Sequence, residues 1–511
     1  MSSLWSLLAK GQADADAIGA PGRPWLPYAT LRAQAAETVA ALNALGIGRG
    51  DRVAIVMPNG PEMATGFLGV ASAAAAAPLN PAYRADEFAF YLEDLKPKAL
   101  LVRAGDDTPA LAVAAGLGIP AITLTPRDGE EAGRYALSTE ALRGAAPALR
   151  GGPAEGEDVA LVLHTSGTTA RPKIVPLTNA NLAASAGHIG AALALAPGDV
   201  CLNVMPLFHI HGLVAAILSS LGAGAAVSCT PGFNALKMFG WLGEVDPTWY
   251  TAVPTMHQAI LARAGRRGER SGQGRLRFVR SSSASLPPQV MAELEAAFGC
   301  PVIESYGMTE AAHQMTSNPL PPRARKPGSV GIAAGPEVGI LDEAGRLLPQ
   351  GEVGEVVIRG PNVTPGYEAN PDANRRAFTE GWFRTGDQGR LDAEGYLFLT
   401  GRLKEIINRG GEKISPLEID TVLMDHPAVA QVVTFAIPHP KLGEEVGAVV
   451  VLRDGIEASE RDIRGFAAER LADFKVPRRV LFVDEIPKGA TGKMQRVGLA
   501  EKLGLTAEAA A

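Results

Sequence analysis

Thr165-Ser166-Gly167-Thr168-Thr169-Ala170-Arg171-Pro172-Lys173 follows the apolar run Val159 to Leu163 and packs hydroxyl, amide and ammonium donors into one short loop. Donors at that density suit phosphate oxygens, and Gly167 lets backbone N–H groups approach closely. An ordinary Ser/Thr/Gly surface loop has the same composition. The spacing is not GxxxxGK[ST], so a Walker-type phosphate loop is excluded. The binding candidates here are Thr165, Ser166, Gly167, Thr168, Thr169 and Lys173.

Four further blocks follow in order: Glu304-Ser305-Tyr306-Gly307-Met308-Thr309-Glu310, Gly381-Trp382-Phe383-Arg384-Thr385-Gly386-Asp387, Gly401-Arg402-Leu403-Lys404-Glu405 and Pro487-Lys488-Gly489-Ala490-Thr491-Gly492-Lys493. Together with the first loop they closely resemble the acyl-activating, adenylate-forming enzymes: acyl-CoA synthetases, firefly-type luciferases and peptide-synthetase adenylation domains. The resemblance runs from about Tyr28 to about Arg496. It implies a ligase that turns a carboxylate and ATP into acyl-AMP and pyrophosphate, after which CoA thiolate displaces AMP. ATP, Mg²⁺ and coenzyme A are the implied cofactor and cosubstrates.

That chemistry crowds a carboxylate against a triphosphate, and two like charges 4 Å apart repel by about 4 kcal/mol at an effective dielectric near 20. The resemblance assigns the relief of this clash to Lys493, whose ammonium would bridge the carboxylate and the α-phosphate. It also implies that Thr309 bonds the α-phosphate and that Glu310 holds Mg²⁺, a hard ion that prefers carboxylate and phosphate oxygens. Tyr306 would offer a face to adenine, with Ser283, Glu304 and Gly307 around its edge. Asp387 would take the two ribose hydroxyls, supported by Arg402. Lys404 matches the hinge about which the small domain of these enzymes turns, exchanging Lys493 for Arg409-Gly410-Gly411-Glu412-Lys413 at the CoA stage.

His209 and His211 form an HxH pair, but no third ligand is evident, so metal binding is discounted. In the family the first histidine lies beside the acyl site. Arg280-Ser281-Ser282-Ser283-Ala284-Ser285-Leu286 and Ala311-Ala312-His313-Gln314-Met315 look most like the oxalate-CoA ligase branch. There His313 and Ser283, helped by His209, would hold the second carboxylate of a very small diacid, whose pocket must supply donors rather than apolar volume. Medium-chain fatty acids, malonate and aromatic acids such as 4-coumarate are the alternatives. Outside the ligases, a luciferase-like oxygenase or an inactive nucleotide-binding regulator stays open. Two departures from the usual pattern are Ala170, which costs a donor, and Ile174, which stiffens the loop exit.

These residues need elements to position them. Periodicity predicts a helix from Leu31 to Leu45, a strand from Arg52 to Met57 and a helix from Pro61 to Ala75, with the alanine run Ala71 to Ala77 read as close helix packing. A strand, loop and helix unit spans Val159 to Leu195, and Leu276 to Arg280, Pro287 to Gly299 and Cys300 to Glu304 read as strand, helix and strand. Short strands from Val338 to Arg359 predict a hairpin-rich layer or small barrel. The fold class expected is α/β: a large N-terminal domain (1–402) of two helix-covered sheets plus a small β-barrel-like subdomain, then a small mobile C-terminal α+β domain (403–511).

With 511 residues the chain exceeds a single core, and its net charge of −6 is spread without a basic stripe, which argues against nucleic acid as a partner. Cys201, Cys229 and Cys300 have no CxxC spacing and an odd count, so neither a disulfide framework nor a zinc site is expected. A reducing, cytoplasmic setting is the expectation, without a signal peptide in Met1 to Lys10. The uncharged stretch Gly212 to Phe233 is interrupted by Gly222 and Gly224, so a buried helix followed by a buried strand is expected there rather than a membrane span.

Overall fold

A computed structural model describes residues 3–127, 129–138, 140–142, 144–165, 172–267, 274–488 and 494–505. Among these residues the strands form four sheets. The seven-stranded sheet is built on Arg52–Val56, flanked by parallel Ala99–Arg103 and Ala75–Pro78. Val53 and Ile55 pack into one core cluster and Ala54 and Val56 into another, so both faces are covered, as an unbroken apolar strand of a parallel sheet requires. The nine-stranded sheet carries the parallel run Ala226–Cys229, Val200–Asn203, Trp249–Ala252, Phe278–Ser281 and Val302–Met308.

Helices Tyr28–Ala44 and Pro61–Ala71 touch each other beside these sheets. The stretch after Gly212 is a wide-turned π-helix, His211–Leu218, then a short α-helix and the buried strand Ala226–Cys229. No described helix is long and apolar enough to cross a membrane. Helix Pro288–Phe298 starts after Pro287 and ends where Gly299 turns left-handed, at the expected bounds.

Two smaller sheets follow, the first antiparallel and the second antiparallel except for its last strand, which runs parallel to Gly443–Leu452. One is a five-stranded sheet from Glu337–Leu341 to Leu397–Arg402. The other, from Ile407–Arg409 to Arg479–Phe482, is covered by helices Pro416–Met424 and Glu460–Ala468. Ser459 caps the second helix, its hydroxyl accepting from Asp462 N–H and the Asp462 carboxylate accepting in return.

Three expectations are corrected. Helix Pro61–Ala71 stops early, and Ala75–Pro78 is a strand, because small side chains let that strand sit fully buried between Arg52–Val56 and Val159–His164. Ile174 opens an unforeseen strand, Ile174–Thr178, antiparallel to Val159–His164, and its side chain is core rather than a stiffened loop exit. The strand expected to end at Glu304 runs on to Met308, and the tight turn is confined to Thr309–Ala311.

Buried Asn362 holds that turn and the hairpin it closes from outside. Asn362 Nδ2 donates to the carbonyls of Ala311 (2.8 Å) and Gln314 (3.0 Å). Asn362→Ala leaves both carbonyls unpaired in a dry interior, and each such group costs about 1–3 kcal/mol. Denaturant unfolding is expected to show a loss of roughly 2–4 kcal/mol, whereas Asn370, a half-buried helix cap, should cost only about 1 kcal/mol when replaced by alanine.

Candidate active site

The donor-rich loop leaves and re-enters a hairpin whose ends are tied together: Thr165 N–H donates to the Lys173 carbonyl (2.9 Å) and Lys173 N–H to Thr165 Oγ1 (3.4 Å). Ser166, Gly167, Thr168 and Thr169 lie outside the described residues. Lys173 Nζ stands 4.1 Å from the ring centre of Tyr367, and Tyr367 Oη donates to Glu310 Oε1 (2.8 Å). Glu310 is buried at the 3₁₀ turn that starts with half-buried Thr309. Burial pushes its carboxyl up, opposed by the Tyr367 hydroxyl and the charges of Lys173 and Arg402. Burial lowers Lys173, and Lys404 and Arg376 push the same way while Glu310 opposes them. Tyr367 was not singled out from the sequence; its signal is an aromatic directly after Pro365-Gly366.

Asp387 and Arg402 face each other across two strands, with Arg402 Nε 3.0 Å from Oδ1, while Tyr306 Oη donates to Oδ2. The Asp387 charge, ahead of any other cause, raises Arg402. A buried carboxylate with both oxygens turned to donors has the bidentate geometry that a vicinal diol also satisfies. Gly307 has a packing reason: a Cβ there would lie 1.7 Å from the His313 carbonyl oxygen, so only glycine lets the hairpin close. Glu304 is buried, its Oε1 accepting from Leu286 N–H (2.8 Å), and burial pushes its carboxyl up to about 8.

The residues read from the sequence as acyl-site candidates are brought together with one exchange. Ser283 is contacted by the second histidine of the HxH pair, not the first: His211 Nδ1 lies 3.0 Å from Ser283 Oγ, and its ring is 4.9 Å from that of His313. Half-buried His209 turns Nδ1 back to accept from His211 N–H (3.4 Å), because the π-helix starts at His211 and draws that residue inward. His313 (φ 96°) and Ser283 (φ 76°) both hold left-handed backbone, a strained state that side chains adopt where the surroundings enforce it. Behind them lies Arg280, fully buried, with Nη2 donating to Gln314 Oε1 (3.2 Å) and Nη1 reaching His211 Nε2 and Thr251 Oγ1 (both 3.4 Å). Burial lowers it to about 9, so it remains a cation at neutral pH. A charged residue in the apolar strand Phe278–Ser281 was the available signal for Arg280.

A cavity of about 350 Å³ lies between the sheets before and after residue 402, lined on one side by Leu286, Glu304 and Val330 and on the other by Asp420, Met494 and Arg496. Lys493 itself lies outside the described residues, but Lys488 and Met494 on either side of it pair as a β-bridge. Lys404 is exposed, beside Leu403, whose N–H donates to the Gly386 carbonyl (2.9 Å). Gly410 (φ 60°) and Gly411 (φ 99°) form the two-residue turn between Ile407–Arg409 and Glu412–Ile414, where a positive φ at both positions calls for glycine. The structure does not bring this turn to Glu310 or Asp387; its neighbours are Leu442 and Glu445, and Lys413 pairs with Glu343 (3.2 Å).

Comparison with known proteins gives one consistent result. Residues 8–368 match the model for AMP-binding enzymes and residues 418–493 that for the AMP-binding enzyme C-terminal domain. The chain is 47% identical to oxalate–CoA ligase of Arabidopsis thaliana, covering 97% of each chain. It is 43% identical to oxalate–CoA ligase of Saccharomyces cerevisiae, over 89% of this chain and 87% of the yeast protein. ATP-bound MatB from Rhodopseudomonas palustris superposes with a TM-score of 0.88 at 32% identity, covering 98% of this chain and 99% of that one; the apo form of the same protein gives 0.79.

Glu304 sets a pH dependence. Its folded-state value, about 8, lies above the ordinary 4.5, so the folded protein holds the proton more tightly than the unfolded chain. Its contribution to stability is therefore complete below about pH 4.5 and is lost progressively as pH rises to about 8. Glu304→Gln keeps an acceptor for Leu286 N–H and cannot ionise. Melting curves of wild type and variant should diverge between pH 5 and 8 by a few kcal/mol in the variant's favour; parallel curves would show that the carboxyl does not titrate in that window.

Proposed function

The chain belongs to the AMP-binding enzyme family, and on that premise we propose that this AMP-forming acid–CoA ligase activates oxalate, passing through oxalyl-AMP to oxalyl-CoA. It uses ATP, and its first step replaces a carboxylate oxygen's negative charge with an AMP leaving group. Lys173 and Arg402 bring positive charge to the side where the nucleotide binds, and Asp387 takes the ribose hydroxyls from Tyr306 and Arg402. Tyr306 and Glu304 flank the adenine, and Thr309 bonds the α-phosphate. Glu310, whose Oε1 is fixed by the Tyr367 hydroxyl, fits Mg²⁺ as a single carboxylate beside phosphate oxygens, the ligands this hard ion prefers. Bound there, the ion would neutralise phosphate charge.

The cation that meets both carboxylate and α-phosphate is Lys493. Its neighbours Met494 and Arg496 line the interlobe cavity opposite Glu304, which supports this role. The better match to the ATP-bound than to the apo neighbour supports an arrangement suited to adenylation. Rotation about Lys404, with domains 1–402 and 403–511 moving against each other, then withdraws Lys493 and brings the Gly410–Gly411 turn to the site for CoA.

One observation carries the oxalate reading: the acyl wall is polar. Ser283, His313 and His211, backed by the cation of Arg280, present donors where a fatty-acid site needs apolar surface. Oxalate has two carboxylates and no methylene, so its recognition rests on such donors alone. The likeness to two oxalate–CoA ligases supports the same choice.

A screen of acid-dependent AMP release with oxalate, malonate, octanoate and 4-coumarate tests the substrate. Oxalate is expected to lead by at least about tenfold in kcat/KM, the size of one well-placed polar contact, and a preference for octanoate would refute the assignment. Lys493→Ala should cut adenylation about a hundredfold or more, while pyrophosphate exchange at the wild-type rate would remove Lys493 from the mechanism. Lys404→Pro should spare adenylation and impair thioester formation; equal loss of both half-reactions would contradict the hinge.

A further inference from the structure

The geometry points to a hydrogen-bond relay, Arg280 to Thr251 to His211 to Ser283, that fixes the Ser283 hydroxyl as a donor aimed at the acid substrate. It rests on the reading that Ser283 lines the acyl site, and it gives a positioning role to His211, Thr251 and Arg280.

The direction of the relay follows from what each group can do. A guanidinium has donors and no acceptor. Arg280 Nη1 lies 3.4 Å from both His211 Nε2 and Thr251 Oγ1, so Thr251 Oγ1 accepts from the guanidinium and a proton on Nε2 would be turned against a cation. Thr251 Oγ1 then turns its own proton to His211 Nε2, 2.6 Å away. With Nε2 accepting, the neutral imidazole carries its proton on Nδ1, which donates to Ser283 Oγ at 3.0 Å. The Ser283 hydroxyl, its lone pair engaged, is left with its proton free to point outward. In the opposite tautomer Ser283 would have to donate to His211 Nδ1 and turn only lone pairs toward a carboxylate, which repels it. The first three members have no solvent exposure, whereas Ser283 is half-buried at the end of the chain. Arg280 therefore acts through its neighbours rather than on the acid directly. No carboxylate partners this cation among the described residues, and its Nε has no hydrogen bond, so ion pairing does not explain its burial.

Thr251→Val removes one hydroxyl at nearly constant size and breaks the relay without removing Ser283 or the cation. In oxalate-dependent pyrophosphate exchange its KM for the acid should rise about tenfold with the KM for ATP unchanged, the scale of one hydrogen bond. Thr251→Ser should restore the wild-type value. The double variant Thr251→Val, Ser283→Ala should be no worse than Ser283→Ala alone, because both changes remove the same donor. An unchanged acid KM in Thr251→Val, or effects that multiply in the double variant, would overturn the relay. If wild type exchanges with another acid but not with oxalate, the oxalate reading fails and the relay is measured with that acid.

A second measurement needs no turnover. In ¹⁵N-histidine spectra, with His211→Asn for assignment, His211 should be neutral with its proton on Nδ1, and Thr251→Val should lose that signature. A proton on Nε2, or an imidazolium at neutral pH, would overturn the relay whatever the enzyme's substrate.

Discussion

Closure of one hairpin is the constraint on which both halves of the site depend. Val302–Met308 turns through Thr309–Ala311 into His313–Ser317, and the two strands approach so closely at Gly307 and His313 that no side chain fits between them. Tyr306 and Glu310, proposed for the nucleotide, lie on the outgoing strand and the turn. His313, proposed for the acid, is the first on the return strand and is held at φ 96° by that closure. Ser185 Oγ, donating to the Ala312 carbonyl (2.5 Å), and Asn362 fasten the turn to the body. In the proposed mechanism one short, over-determined segment thus sets the spacing between the acid and the phosphate it must meet, and misplacement of reacting groups by about 1 Å is enough to cost activity.

Charge is distributed around that hairpin in opposite senses. On the nucleotide side the buried acids Glu310 and Asp387 sit within reach of Lys173 and Arg402, and their hydroxyl partners Tyr367 and Tyr306 complete each carboxylate's hydrogen bonds. Opposite charges and hydrogen bonds to the charged form offset the cost of burial. On the side proposed for the acid the pattern is a buried cation whose partners are His211, Thr251 and Gln314, with no carboxylate among the described residues. In the proposed reading an arginine buried at that desolvation cost is arranged for an anion from outside, and Ser283 and His313 form the edge of that arrangement. This asymmetry separates the two sides more clearly than their residue types do.

Much of this was legible in the sequence because the catalytic blocks are contiguous. Each strand–turn segment keeps its donors in register, so Asp387 opposite Arg402 and Glu310 on a tight turn follow from reading short motifs in order. Elements bounded by proline and glycine, such as Pro288–Phe298, were equally readable, because backbone geometry announces their ends. What escaped was set by tertiary contact. Ala75–Pro78 reads as helix because alanine favours one, yet a slot between two strands decides otherwise. His209 and His211 have the same type and nearly the same position, and only the wide first turn of the π-helix selects which ring meets Ser283. Tyr367 and Arg280 meet Glu310 and His211 across 57 and 69 residues of chain, so the local signals that mark them do not say what they touch.

The proposed rotation gains a mechanical basis from Arg496. It pairs with Asp420 on helix Pro416–Met424 and with Glu405 (3.5 Å), the residue immediately after Lys404. The segment that follows Lys493 is therefore fastened to the first helix beyond the hinge and to the hinge's own exit. The Gly410–Gly411 turn is fastened to the same body through Arg409 and Glu445. A pivot at Lys404 cannot move one of these without the other, so withdrawal of the lysine and arrival of the turn become a single displacement rather than two. Among the described residues the polar ties between the two bodies include Gln258 to the Ala430 carbonyl (3.3 Å) and Arg453 to Glu293 (3.6 Å). Partly exposed ion pairs contribute about 0–1 kcal/mol each, so the apolar cluster that joins Leu286 and Val290 with Leu423 and Met424 carries more of the contact than they do.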